Sequence, residues 1–302
     1  MIGKKCAFKS FLDDPKKLAL FLIFPALLVI FAVLIFPMLI SLGMSFTGLK
    51  LTDPLSNHFI GLQNYIKALG NPAFWAAFRR TGYFALITVG VEVTLGLAIA
   101  LLLNQKFVGR GLVRGLVILP WALPYVVNGM MWKWIFDANY GAFNALLTQI
   151  GLLDNYYIWL GRPSTAMHVV ILANIWKETP VAIILILAGL QSIPEELYEA
   201  SMVAGATWWQ SFKLITLPIL KPVLLMTIIL KIIWALKEFD LIYVMTRGGP
   251  ANATNLLSFH IYLNTFKFLK FGYGSALAYI LAITSVLIAL VYLKVNKSSE
   301  DM

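Results

Sequence analysis

Long apolar runs separated by short polar segments dominate the chain, and their lengths predict a membrane protein. A helix needs about 20 mostly apolar residues to cross a bilayer core roughly 30 Å thick. Six segments satisfy that length, at residues 18–44, 81–103, 112–136, 166–190, 223–245 and 274–295. We therefore predict an all-α membrane protein with six transmembrane helices. Pro120 and Pro124 fall inside the third run and predict a kink there.

The polar segments between these runs predict the remaining organisation. We expect a cytoplasmic N-terminal segment at residues 1–17 and an extracytoplasmic loop at 45–80. A core transmembrane domain is expected at 81–296, with a cytoplasmic loop at 191–222 inside it, and a cytoplasmic tail at 297–302. The first run is too long for the apolar part of a secretory signal peptide, which predicts an uncleaved signal anchor.

Composition and charge agree with a membrane environment. The chain is 60% apolar and 13% charged, against about 25% charged residues in ordinary soluble proteins. Its net charge is +10, but the basic residues lie mainly between the apolar runs, where they orient a chain in a membrane rather than bind nucleic acid. Arg79 and Arg80 weigh against a cytoplasmic N-terminus. A cytoplasmic N-terminus is favoured by the basic loop at 104–114 and by five lysines before the first run: Lys4, Lys5, Lys9, Lys16 and Lys17.

The sequence contains no motif typical of a catalytic site, a metal site or a nucleotide-binding site. The single cysteine, Cys6, excludes an internal disulfide and a thiolate metal cage, and the three histidines are scattered. The phosphate-binding pattern G-x-x-x-x-G-K-[ST] is absent from the sequence. We expect no metal site and no enzyme activity, so energy for any transport would come from another subunit.

The loop at 191–222 is long for a connection between neighbouring helices, and long ordered loops are usually functional. Ser192 is a candidate N-cap, Pro194 suits a first helical turn, and two glutamates follow it. Gly205 then predicts the end of this helix. A second short helix is expected at about 207–215.

A set of loop residues at fixed spacing carries a family resemblance: Glu199, Ala200, Ser201, Gly205, Ile215, Leu217 and Pro218. The loop resembles the EAA loop of binding-protein-dependent ABC importer permeases, with serine as the departure at the third position. The resemblance implies a type I importer fold in which this loop forms a coupling helix docked on a cytoplasmic ATPase. Glu199 would pair with a basic residue there, and Gly205 would permit the turn. The alternative is an ordinary amphipathic connector with a glycine C-cap.

Further motifs resemble the sugar-importer branch and its larger maltose-type subunit: residues 59–62 with Asn64 and Tyr65, Leu119 to Trp121, Gly141 with Asn144, Phe239 with Asp240, 246–250 and 271–274. The resemblance implies a prokaryotic inner-membrane protein that works with a second homologous permease, an ATPase dimer and an extracytoplasmic solute-binding protein. ATP and Mg²⁺ would bind to the ATPase, and this chain would hold no cofactor. The outer loops 46–80, 137–165 and 246–272 are the expected docking surface for the binding protein.

Ionisable residues inside membrane helices are costly unless they pair or face water. Asn174, Lys177 and Glu178 share one face of the fourth run. Lys231, Trp234 and Glu238 fall within about 60° of one another on the fifth. We expect these polar faces to meet near the midplane.

By resemblance, six residues of these runs would line a sugar site: Asn174, Glu178, Lys231, Trp234, Ala235 and Glu238. Trp234 would stack on a sugar ring, and the carboxylates would accept hydrogen bonds from hydroxyl groups. Lys231 and Glu238 stand where the maltose type has neutral groups, which argues against maltose itself. We expect Lys231 or Lys177 to neutralise Glu178 or Glu238. The alternative is a buried ion-pair network that only joins helices, and Glu92 is left open between lining a pathway and pairing with a second permease.

The expected function is uptake of a disaccharide or oligosaccharide. A polyol or a glycerol-phosphate type of solute is the alternative substrate, which lysines in the membrane would suit. A secondary transporter and a membrane-embedded enzyme are the alternative classes. The sequence shows neither the inverted repeats of the first nor the clustered catalytic groups of the second.

Overall fold

The computed structural model describes residues 15–300, and regular structure within this range is helical except for two isolated β-bridges. The expectations attached to Lys4, Lys5, Lys9 and Cys6 lie outside the described residues. So do the last two residues of the expected tail.

Five helices are long and apolar enough to cross a membrane, and a bent pair brings the number of spans to six if it counts as one. We call these the first to sixth spans: Leu18–Ser45, Pro72–Asn104, the pair Arg110–Ala122 with Tyr125–Ile135, Pro163–Gln191, Trp208–Met245 and Phe271–Lys294. They match the six predicted runs in order. The two helices of the third span meet at 93°, so the kink predicted from Pro120 and Pro124 is confirmed.

Within the described residues, these spans are assembled from helical segments and linked by short helices. The first span comprises Pro15–Ile30, Phe31–Ile35 and Phe36–Ser45, and the helix of the sixth span is Phe271–Glu300. The linking elements are Pro54–Ser56, Gln63–Leu69, Ala142–Gln149, Glu195–Val203, Leu257–Tyr262 and Leu263–Lys267.

The second span begins earlier than predicted, so residues 72–80 belong to a helix and not to the outer loop. The side chain of Asn71 accepts the amide of Ala73 at 2.9 Å, and Pro72 occupies the first turn. Both features start a helix regardless of the hydropathy that follows. At the other end of the chain the last helix continues to Glu300, so most of the expected tail at 297–302 is helical.

The fifth span begins inside the loop predicted at 191–222. A capping box between Thr207 and Gln210 starts it, and it runs through Trp208–Ser211, Phe212–Thr216 and Leu217–Leu236 without a gap. The separate short helix expected to stop near Pro218 is therefore wrong. The segment Phe212–Thr216 is a π-helical turn directly before Pro218, and a widened turn accommodates a residue that cannot donate a backbone bond. The helix breaks further on, between Leu236 and Asp240.

The described chain forms two compact units. The first contains the residues up to Ala68 together with Asn264–Tyr279. Within it, the buried amide of Asn64 donates to the carbonyls of Ser45 and Thr47 at 2.9 and 2.8 Å. This amide fixes the turn after the first span, which gives the motif residue Asn64 a structural role.

The second unit contains Leu69–Leu263 and the residues from Ile280 onward. Its centre is the fourth span, which packs along the second. Gly96 lies where a side chain would be 2.8 Å from the Cβ of Ala182, so glycine permits this close approach. Apolar clusters fill both halves of the unit, and the half nearer the 191–222 loop includes Leu103, Ile186 and Leu220.

Candidate functional site

A small polar cavity lies in the second unit, between the second, third, fourth and fifth spans. Its volume is about 10 Å³, room for about one water molecule. The lining residues are Glu92, Tyr125, Asn174, Glu178, Lys231, Trp234, Ala235 and Glu238. All six residues predicted to form a sugar site are among them. The two predicted polar faces therefore meet.

Lys231 is the centre of this cavity. Its Nζ lies 2.9 Å from Oε2 of Glu178 and 3.4 Å from Oε2 of Glu92, and it also donates to the backbone carbonyl of Glu178 at 2.5 Å. All three residues are at most 4% exposed. Because a lone charge inside a membrane protein is costly, each of these groups depends on the others.

Two neutral side chains complete the network. The amide of Asn174 donates to Oε1 of Glu92 at 2.9 Å, and the hydroxyl of Tyr125 donates to Oε1 of Glu178 at 2.6 Å. All four carboxylate oxygens thus face a donor. The network joins four spans, and Glu92, which the sequence left open, pairs within the chain.

Lys177 does not reach the cavity, although it follows Asn174 on the same helix face. Its ammonium donates to the carbonyls of Trp121 and Leu123 at 3.1 and 2.8 Å and lies 4.3 Å from the centre of the Tyr125 ring. These carbonyls end the first helix of the third span, where backbone acceptors lose their helical partners. Lys177 therefore stabilises the 93° bend.

Glu238 lines the cavity but is held by backbone and not by a lysine. Its Oε1 accepts the amide of Leu241 at 2.9 Å, which caps the helix Asp240–Met245. The expected neutralisation by Lys231 is thus confirmed for Glu178 and not for Glu238. The break before Asp240 supplies the free amide. It was missed because the run predicted at 223–245 includes the charged residues Lys237, Glu238 and Asp240.

Trp234 forms the most exposed wall of the cavity. It is 36% exposed, and the ammonium of Lys231 lies 5.2 Å from its ring centre. A partly exposed indole ring beside buried hydrogen-bonding groups is an arrangement that suits a sugar. Ala235 beside it is buried and adds no polar atom.

The helix Glu195–Val203 is a second candidate site. After it, Gly205 has a φ of 74°. Its amide donates to the carbonyl of Met202 at 3.0 Å, and the amide of Ala206 donates to that of Ser201 at 2.9 Å. This pair of bonds is a Schellman motif, which strongly favours glycine at this position. The predicted end of the helix is confirmed.

Hydroxyl pairs fasten this helix to the start of the fifth span. Ser201 lies 2.9 Å from the hydroxyl of Ser211, and Tyr198 lies 2.9 Å from that of Thr216. Ser201, the departure from the family pattern, therefore gains a partner. Ser192 does not cap the helix as expected, because its hydroxyl donates back to the carbonyl of Gly189.

The remaining motif residues divide by exposure. Glu199, Ala200, Leu217 and Pro218 are exposed, and Ile215 packs against the apolar cluster of this half of the unit. The helix also exposes apolar side chains: Leu197 at 41%, Met202 at 66% and Val203 at 92%. An exposed apolar patch with an acidic residue is typical of a protein interface.

A family comparison decides the identity of this chain. Residues 92–298 match the family described as the binding-protein-dependent transport system inner membrane component. The chain belongs to this family. It is a multi-pass permease subunit, and the matched region includes both the cavity and the loop helix.

Two similar permeases have named transport systems. The trehalose/maltose transport system permease protein MalF of Thermococcus litoralis is 38% identical over 94% of this chain and 95% of its own length. The sulfoquinovosyl glycerol transport system permease protein SmoG of Agrobacterium fabrum is 38% identical over 94% of this chain and 91% of its own.

Solved structures confirm the fold. A chain of a bacterial ABC transporter involved in the import of the acidic polysaccharide alginate superposes with a TM-score of 0.81 and 23% identity, and covers 97% of this chain and 99% of its own. The predicted importer permease fold is therefore confirmed.

Sequence reasoning missed two cavity residues. Glu92 was visible as the charged residue of the second run, but periodicity does not show which helices pack together. Tyr125 follows Pro124 and reaches Glu178 only because the third span bends. Its signal was the proline kink, which places the residue after it at a helix start.

Proposed function

We propose that this permease forms, with a second homologous permease, the membrane pathway through which a disaccharide or oligosaccharide is imported. An extracytoplasmic solute-binding protein delivers the sugar, and a cytoplasmic ATPase dimer binds ATP and Mg²⁺ and supplies the energy. In this proposal the N-terminus and the helix Glu195–Val203 are cytoplasmic, and the chain itself catalyses no reaction. The similarity to the trehalose/maltose permease supports the choice of substrate class.

The observation that carries the proposal is the meeting of all six predicted residues on one polar cavity. Trp234 supplies a ring face, and Glu178 and Glu238 supply oxygen acceptors. A volume of about 10 Å³ does not hold a sugar. A sugar therefore does not fit between the helices of this chain as described, and solute contact requires either that these helices separate or that the second permease completes the site.

Uptake measurements test the pathway. The complete importer in proteoliposomes, with ATP inside, is expected to accumulate a radiolabelled disaccharide or oligosaccharide, and trehalose is the first sugar to test. Trp234→Ala and Glu238→Ala should reduce uptake at least about tenfold, since each removes a proposed contact with the solute worth about 1.4 kcal/mol or more, while assembly with the other subunits persists. Trp134→Ala is the matched control, because Trp134 is 69% exposed and does not line the cavity. Normal uptake by both cavity variants contradicts the assignment.

A separate measurement tests the coupling segment. Glu199→Ala removes an exposed charge from the centre of the loop helix, and we expect less ATPase to co-purify with the permease. Retention of the second permease in the same preparation shows that the bundle is intact. Unchanged ATPase recovery at low and high salt would mean that Glu199 makes no ionic contact with the partner.

A further inference from the structure

The cavity charges bear on a property that the relatives do not settle, namely the charge of the solute. This inference rests on the proposed function and specifies its substrate. The similar proteins differ in this respect, since one is named for trehalose and maltose, one for a sulfonated glycoside, and a third for an acidic polysaccharide. Binding of an anion in a membrane cavity requires a cation with free donors.

Lys231 is the one cation that lines the cavity in the described structure. An ammonium group has three donors. Three oxygens surround this one: Oε2 and the backbone carbonyl of Glu178, and Oε2 of Glu92. Its remaining near neighbour is the ring of Trp234. A solute anion would have to displace one of these oxygens, and no donor is held in reserve for it.

Lys177, the other lysine of the predicted polar faces, also has its ammonium bonded within the chain. It donates to two backbone carbonyls at the bend and lies over the face of Tyr125. If it turned towards the cavity, the carbonyls of Trp121 and Leu123 would lose their hydrogen bonds from its ammonium. Such a change gives up two charge-assisted hydrogen bonds.

The charge count agrees as long as at least one carboxyl group beside Lys231 is ionised. With Glu92 and Glu178 both ionised, the group formed with Lys231 carries one negative charge. With one of them protonated, the group is neutral. Glu238 adds a third carboxyl to the lining. While at least one of the two carboxyl groups is ionised, the group is not positive, so it repels an anion or at best is indifferent to it.

We infer that this permease accepts uncharged saccharides and discriminates against those that carry a carboxylate, sulfonate or phosphate. Glu92, Glu178 and Lys231 are the residues that determine this specificity. Neutral hydroxyl groups donate well to carboxylates, and the face of Trp234 suits the apolar side of a sugar ring. The glycerol-phosphate type of solute that intramembrane lysines suggested is disfavoured, because both lysines are already paired.

A matched pair of ligands tests the inference. The membrane complex of both permeases and the ATPase is titrated without the binding protein, which has a selectivity of its own. Trehalose is compared with trehalose 6-phosphate, and maltose with maltose 6-phosphate, by saturation-transfer difference NMR at millimolar concentration. The neutral sugar of each pair is expected to bind about tenfold more tightly or better. Equal or tighter binding of the phosphorylated sugars overturns the inference, whereas binding of none of the four sugars overturns the proposed saccharide function itself.

Variants assign the effect to the cavity. Glu92→Gln with Glu178→Gln leaves the Lys231 ammonium without an ionic partner, so binding of trehalose 6-phosphate relative to trehalose should rise about tenfold or more. Adding Lys231→Met to this double variant should abolish the gain. If the double variant assembles and its relative binding of trehalose 6-phosphate does not rise, selectivity is determined elsewhere. That result overturns the role of Glu92, Glu178 and Lys231. If it fails to assemble, the wild-type ligand pairs still decide the inference.

Discussion

The membrane cavity and the loop helix Glu195–Val203 are both polar, but they satisfy their polar groups in opposite ways. In the cavity, the carboxylates of Glu92 and Glu178 find all their donors within the chain. On the loop helix, Glu199 and Val203 are exposed, and apolar side chains lie beside them. The carboxylates of the cavity are satisfied within one chain, whereas the loop helix leaves a charge and apolar side chains exposed.

An ion pair from each region makes the difference quantitative. Lys231 and Glu178 are 2.9 Å apart with side chains 1% and 5% exposed. Lys106 and Glu195, at the start of the loop helix, are 3.0 Å apart with side chains 83% and 74% exposed. The distances are nearly equal, but solvent screens the second pair and not the first. Stability is therefore expected to depend on one pair and not on the other.

The largest predicted effect comes from Lys231→Met, which leaves two buried carboxyl groups facing each other without a cation. The free energy of unfolding should fall by about 3–5 kcal/mol. Lys106→Met is the matched control, and its cost should be at most about 1 kcal/mol. Thermal unfolding of the purified permease complex in detergent measures both. Similar midpoints for the two variants would show that burial does not separate the regions as described.

A smaller effect is expected at Gly205. Gly205→Ala places a side chain at a φ of 74°, which costs about 1–2 kcal/mol although the space there is open. Hydrogen exchange at the amides of Gly205 and Ala206 should speed up by a factor of about 5–30. Gly205→Asn should have a milder effect, because asparagine tolerates this conformation. If these amides exchange at the same rate in the wild-type protein and in Gly205→Ala, the turn does not stabilise the end of the helix.

The smallest predicted effect is that of Ser201→Ala. This change removes the hydroxyl pair with Ser211 and should cost about 0.5–1.5 kcal/mol. Because the pair fastens the loop helix to the fifth span, ATPase activity stimulated by the binding protein should fall, whereas permease assembly should not. Ser192→Ala is a control on the same loop, since Ser192 bonds only within its own helix end. Equal stimulation in both variants argues that Ser201 has no role in transmission.

The spans and the cavity residues were largely predictable from the sequence, since apolar length and helical periodicity are properties of a single segment. Periodicity placed Lys231, Trp234 and Glu238 on one face, and all three line the cavity. It did not show that Glu178 lines the cavity and Lys177 does not. The contacts of these two residues depend on the bend of the third span. Glu92 and Tyr125 were missed for the same reason.

The start of the second span and the continuity of the fifth were not predictable from hydropathy. Asn71 starts a helix before the apolar run begins, and the capping box of Thr207 does the same for the fifth span. Pro218 was expected to end a helix, but the helix continues through it because a π-helical turn precedes it. Local hydrogen bonding outweighed composition at each of these points.

The helix from Trp208 to Leu236 is continuous, and it connects the part of the fifth span beside the loop helix to the cavity. At about 1.5 Å per residue, Lys231 lies roughly 35 Å along it from Trp208. A tilt at the Trp208 end would therefore reach the cavity wall through one continuous helix, whose π-helical turn and prolines lie close to that end. The helix ends at Leu236, beyond Lys231 and Trp234.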